Sequence, residues 1–163
     1  MNASTIDVCL SVFPWAKFRA QEGAVKLHAE LDHDGLIRAF IDLRNGEIHE
    51  VNIGRIIKLP KGSILTLDHG YIDYQWFVDL NSQGALFFTR GTKSMCYRVV
   101  SRHQPNRKQG ITSDQTNELI SQKGKQYTGA LLRVAYKDPD TKKHYYHLTN
   151  QINLADKTIA VFL

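Results

Sequence analysis

Ser63-Ile64-Leu65-Thr66-Leu67 is a short apolar run that ends in Asp68 and turns at once on His69-Gly70-Tyr71. A carboxylate at the C-terminal end of a buried strand lies where open α/β sheets place their ligands, and a hard oxygen donor there suits a divalent cation. Asp68 is therefore the first candidate for chemistry. Asp at a strand end also caps the next turn or helix, which is the structural alternative for this residue. A second kind of chemistry lies between Arg90 and Lys108. Arg90, Lys93, Arg98, Arg102, Arg107 and Lys108 occur there with no acid among them, interleaved with Tyr97 and His103. Cations at that density suit phosphate, and a ring among them can stack on a base. A solvated basic surface is the plain alternative. Lys26 and His28, two apart on one strand, share its polar face and could approach a phosphate, or simply face water. His144-Tyr145-Tyr146-His147 resembles a metal pair in composition only, because a spacing of three on a strand sends the two rings to opposite faces.

The elements that must carry these residues follow from periodicity. From Thr5 to Phe13, Ile6, Val8, Leu10 and Val12 alternate with Asp7, Cys9 and Ser11, which is a strand period. Val25–Leu31 alternates in the same way and meets Leu36–Leu43 through Asp32-His33-Asp34-Gly35, a hairpin closed beyond by Asn45-Gly46. Ile48, Val51, Ile53, Ile56 and Ile57 predict a short, imperfect helix interrupted by Gly54 and ended near Pro60. After the Asp68 strand, residues 73–83 predict a helix with Tyr74, Phe77, Val78 and Leu80 inward and Gly84 as terminator. Ala85-Leu86-Phe87-Phe88-Thr89 reads as a strand buried on both faces. Three meander strands followed by βαβ crossovers predict one mixed sheet with the Asp68 strand in its centre, parallel to its neighbours: the outline of a ribonuclease H-like α/β domain. Residues 91–150 predict a β-rich insertion, with strands at Met95–Ser101, Gly129–Tyr136 and His144–Thr149, a turn at Asp138-Pro139-Asp140-Thr141 and a mobile polar loop from His103 to Asn117. Leu154 to Leu163 reads as the opening of a helix.

With 163 residues and 42% apolar content, the chain suits a single domain, residues 1–163, with a continuous core. No apolar run reaches the roughly 20 residues of a membrane span, and no signal peptide precedes the first strand, so a cytoplasmic protein with no membrane partner is expected. Cys9 and Cys96 are isolated in sequence, which predicts two free, buried thiols rather than a disulfide or zinc site. Net charge is +5, but residues 1–89 hold 8 Lys/Arg against 11 Asp/Glu and residues 90–163 hold 13 against 5. The positive charge is regional, as a polyanion-binding surface would have it.

Asp68-His69-Gly70-Tyr71-Ile72-Asp73 followed by Ala85-Leu86-Phe87-Phe88-Thr89-Arg90 resembles the DDE transposases of bacterial insertion sequences, in the subgroup named after insertion sequence four. Thr5–Arg19, Lys26-Leu27-His28 with Leu31-Asp32, Gly46–Asn52 and His147-Leu148-Thr149-Asn150 resemble further blocks of that family in the same order. The resemblance implies a ribonuclease H-like core with a β-rich insertion, in which two Asp and one Glu hold two divalent cations, Mg²⁺ or Mn²⁺, for in-line phosphoryl transfer on DNA. Asp68 matches the second Asp. The first falls on Asn2, whose amide carries no charge, and Asp7 on the same strand is five residues away, on the opposite face by alternation. The Glu is implied beyond Leu163, so the chain resembles a domain truncated at both ends. Arg90 and Lys93 resemble residues that contact transposon-end DNA, and they open the basic run that includes Arg98 and Arg102. The expected protein is a transposase catalytic-domain fragment, inactive by itself, cytoplasmic and nucleoid-associated, with transposon-end DNA and a full-length transposase or a second copy as partners. The alternative is a non-catalytic nucleic-acid-binding module or regulator derived from a transposase.

Overall fold

The computed structural model describes residues 2–9, 11–12, 14–19, 22–32, 37–46 and 50–153. The chain divides into two compact units, Met1–Lys58 and Leu59–Leu163. In the first, β1 (Asn2–Val8), β2 (Lys17–Arg19), β3 (Glu22–Asp32) and β4 (Ile37–Asn45) precede a short helix α1 (Glu50–Gly54). All pairing is antiparallel and converges on β3, which takes β1 from Asn2↔Ala29 to Val8↔Gly23 without a register shift and takes β4 along Val25–Asp32. The predicted hairpin forms, with Ala16, Ala24, Val25 and Ile53 buried. The first strand starts and ends earlier than its alternation suggested. It covers Asn2–Val8, and the chain then turns, Val12 N donating to Cys9 O at 3.1 Å. Ile6 is 49% exposed, so the apolar stripe read on this strand is not sealed along its length. Leu10 and Phe13 lie outside the described residues, as does Leu154–Leu163, where a helix was expected.

The second unit runs β5 (Ile64–Leu67), a 3₁₀ turn (His69–Tyr71), α2 (Tyr74–Ser82), β6 (Leu86–Arg90), β7 (Tyr97–His103), β8 (Ile111–Leu119), β9 (Leu131–Lys137) and β10 (His144–Thr149). Its six-stranded sheet has the order β5-β6-β10-β9-β8-β7. β5 and β6 are parallel, and the remaining pairs are antiparallel. The crossover helix α2 begins where Asp73 Oδ1 accepts from Trp76 N at 2.8 Å. It ends before Gly84, whose φ of 71° is glycine territory. Its inward residues are Trp76, Phe77 and Leu80, with Tyr74 and Val78 only half-buried. Phe77 stacks on Phe87 of β6 at 4.3 Å between centroids, and Tyr127 meets Phe87 edge-on. Phe88, the next residue, joins Ile111, Leu132 and Val134 on the opposite face. That alternation is the two-faced burial predicted for this strand. Asn150 clips three segments together: its Oδ1 accepts from Phe87 N, and its Nδ2 donates to Ala85 O and to Asn81 Oδ1.

Three expectations need correction. Among the described residues the strands form two hydrogen-bonded sheets rather than one, and β5 is an end strand of the second, because β10 returns to pair with the far side of β6. The polar stretch expected as a loop up to Asn117 contains β8, an interior strand whose Asp114, Thr116 and Asn117 are 5%, 8% and 1% exposed. Its backbone is satisfied by β7 and β9 on either side, so side-chain polarity does not expel it from the sheet. Both cysteines are free, as expected, but exposed. The Cys9 thiol lies 2.9 Å from the Ser11 hydroxyl, which, with two nearby backbone amides, lowers its pKa. Among the described residues no helix is long and apolar enough to cross a membrane.

Candidate functional site

Parallel pairing brings the ends of β5 and β6 to the same edge. Leu67 stands opposite Thr89, so the next residues along, Asp68 and Arg90, leave the two strands together. Arg90 in turn stands opposite His147 of β10. Leu67 and Thr89 are buried, and alternation therefore turns Asp68, Arg90 and His147 to the sheet face opposite theirs. A carboxylate, a guanidinium and an imidazole thus form one row across three strands.

Asp68 caps the 3₁₀ turn. Its Oδ1 accepts from His69 N at 2.7 Å and lies 3.0 Å from His69 Nδ1. Partial burial pushes the carboxyl up, but the His69 amide and ring, with the Arg90 charge, outweigh it and leave the pKa below the ordinary value. The side chain is still 45% exposed. Arg90 is exposed, with its guanidinium carbon 4.6 Å above the centre of the Tyr145 ring, and Tyr145 stacks on Tyr136. His147 is held neutral: burial, reinforced by the Arg90 charge, lowers its pKa to about 4. Its Nε2 is buried and takes no hydrogen bond. Beside this row, Arg90, Gly91, Lys93, His144, Tyr145 and Tyr146 line an open depression of about 580 Å³. Two cations and two tyrosines around an open hollow can hold a phosphate and receive a base edge or face.

The sequence candidates are distributed unevenly. Asp68, Arg90 and Lys93 come together at this end of the second unit. Arg98 and Arg102 lie on β7, the opposite edge of the six-stranded sheet, five strand spacings or roughly 24 Å from β5. Arg98 is engaged there by Glu118, directly opposite it, at 2.5 Å, while Arg102 is exposed. Asn2, Lys26 and His28 belong to the first unit. Asn2 is opposite Ala29, Lys26 opposite Thr5 and Arg44, and His28 opposite Ala3 and Asp42. Tyr145 and His147 were missed as site residues. The alternation that separates His144 from His147 was legible, but the return of β10 to β6, which sets both beside Arg90, was not.

The chain is similar to a Sinorhizobium fredii protein named "Putative transposase y4zB", with 26% identity over 130 residues. The match covers 77% of this chain and 36% of that protein, so the chain spans about a third of its relative's length. No family model matches the chain.

Proposed function

We propose that this chain is part of the catalytic core of a DDE-type transposase of the insertion-sequence-four kind, in which the second unit binds DNA through Arg90 and Lys93. The observation that carries the reading is the row at the carboxyl ends of the parallel strands, where exposed Asp68 and Arg90 adjoin a basic, tyrosine-lined hollow. An antiparallel meander followed by a parallel pair with a helical crossover is also the strand sequence of a ribonuclease H-like core, here extended by the β-rich segment 91–150.

Within this reading Asp68 is one of the acids that hold Mg²⁺ or Mn²⁺, and Asn2 occupies the position of the first. The Asp68 carboxylate fits a hard cation in charge and exposure. One carboxylate is a single coordination position, however. Among the described residues no group of three His, Cys, Asp or Glu side chains gathers around it. The described residues do not fit a two-metal centre, and no catalytic step is derived through one. The neutral amide at position 2 cannot replace a carboxylate, so the chain binds DNA without cutting it. A full-length transposase or a second copy of the chain is the natural partner for such a piece.

The test is titration of a duplex oligonucleotide over a range of salt, run beside a strand-nicking assay with Mg²⁺ and with Mn²⁺. Binding whose logarithm falls steeply with log salt, a slope that drops by about one in Arg90→Ala and again in Lys93→Ala, and no nicking are the expected results. Nicking that disappears in Asp68→Asn would show residual catalysis and overturn the inactive reading. Failure to bind DNA at low salt would overturn the DNA-binding role altogether.

A further inference from the structure

On the sheet face that carries Leu67 and Thr89, register sets Leu148 of β10, Arg133 of β9 and Gln115 of β8 side by side, with Asn117 diagonal to Arg133. Arg133 is 5% exposed. Its guanidinium carbon lies 4.8 Å from the centre of the Tyr97 ring and 4.4 Å from that of Tyr146. Two π faces offset part of the cost of taking a cation out of water. They do nothing for the in-plane N–H groups. Nε is fully buried without a hydrogen bond, and among the described residues no carboxylate pairs with Arg133. Buried charges in proteins are ordinarily paired. Next to it, Asn117 is 1% exposed, with both its amide nitrogen and its oxygen unpartnered, and Gln115 Oε1 is buried without a partner too. An unpaired cation thus lies among orphaned amides, one of which brings a further N–H donor.

We propose that Arg133, within cation–π distance of Tyr97 and Tyr146 and flanked by Asn117, is the centre of a phosphate-binding site. The in-plane donor edge of a guanidinium matches the paired oxygens of a phosphate group. Asn117 adds a neutral donor, so the ligand's charge is met once rather than twice. Inorganic phosphate and a phosphodiester of nucleic acid present the same chemistry. The proposal stands on the buried side chains alone, whether or not the chain is a transposase.

The test uses the full chain, its Arg133→Met variant and, as a charge-keeping second variant, Arg133→Lys. Thermal unfolding followed by Trp76 fluorescence is measured in inorganic phosphate and in chloride of equal ionic strength. Phosphate is expected to raise the wild-type midpoint above its chloride value, to leave Arg133→Met with only the general salt effect, and to bind Arg133→Lys roughly tenfold more weakly for want of the planar fork. Duplex binding over salt identifies the source. A slope smaller by about one in Arg133→Met assigns the site to backbone phosphate, whereas an unchanged slope with a lost phosphate shift assigns it to the free anion. A phosphate-specific shift that survives in Arg133→Met, or in Arg133→Lys at undiminished affinity, would overturn the proposal. So would its absence from the wild type.

Discussion

Replacing His147 by Gln should flatten the acid limb of the stability curve. The imidazole is half-buried, Nε2 has no partner, the Arg90 cation stands opposite it on β6 and apolar Val134 stands opposite it on β9. Protonation therefore costs more in the folded state than in the unfolded one. Burial, reinforced by the Arg90 charge, lowers the pKa from the ordinary histidine value of about 6.5 to about 4. Above the unfolded value both states hold a neutral ring and nothing is lost. As pH drops below that value, the unfolded chain takes up a proton that the folded chain refuses, and stability is lost progressively until the folded pKa is reached. The full difference corresponds to about 3.4 kcal/mol, and moving from about pH 7.5 to about pH 4.5 collects ~2.5 kcal/mol of it. The ring keeps some contact with solvent, which reduces the expected loss to about 2 kcal/mol. Urea unfolding is followed by tryptophan fluorescence in a Trp15→Phe background, where Trp76, 2% exposed, reports on the second unit. The wild type should lose about 2 kcal/mol more than His147→Gln between those pH values, because every other titrating group is common to both proteins. An imidazole NMR titration with its midpoint near the ordinary histidine value, or equal acid losses in the two proteins, would refute the reasoning.

Two further substitutions probe the frame around the site. Gly110 has φ of 80°, and a Cβ there would lie 2.8 Å from both Lys137 O and Tyr136 Cε2. Gly110→Ala should destabilise the second unit by about 1–3 kcal/mol, read as a lower urea midpoint, since both the backbone conformation and the contact are unfavourable. Asp73→Ala removes the carboxylate that accepts from Trp76 N at the start of α2. It should cost about 1 kcal/mol, while Asp73→Asn, which keeps an acceptor, should recover most of it in the same unfolding experiment.

Much of the frame was legible because local signals and tertiary burial agreed. β5, α2 and β6 follow from an apolar run, a capped amphipathic stretch and a second apolar run, and their parallel pairing follows from the helix between them. Asp68 was singled out by its position at the end of such a strand, and its capping of the following turn realises the structural alternative for this residue. β8 was illegible for the opposite reason. Its buried residues include Asp114, Thr116 and Asn117, so the period of burial is not a period of hydrophobicity. The strand order was beyond reach as well, because nothing local to residues 144–149 says that they return to β6 across some fifty residues of intervening chain. Arg133 is a lone cation within the apolar part of β9, and His147 is one of several polar residues of β10. Only the register that surrounds them with tyrosines, amides and another cation marks them out.

The clip made by Asn150 bears on how the polypeptide matures. Its amide closes contacts 63 and 65 residues back along the chain, to the amide of Phe87 and the carbonyl of Ala85. During synthesis the parallel pair and its crossover helix leave the ribosome well before that amide exists. They must wait as an unlatched strand–helix–strand intermediate while the four later strands are made. Folding of the second unit is consequently gated by β10, and a ribosome stalled before residue 150 would display a protease-sensitive nascent chain that becomes more resistant once Asn150 has cleared the exit tunnel.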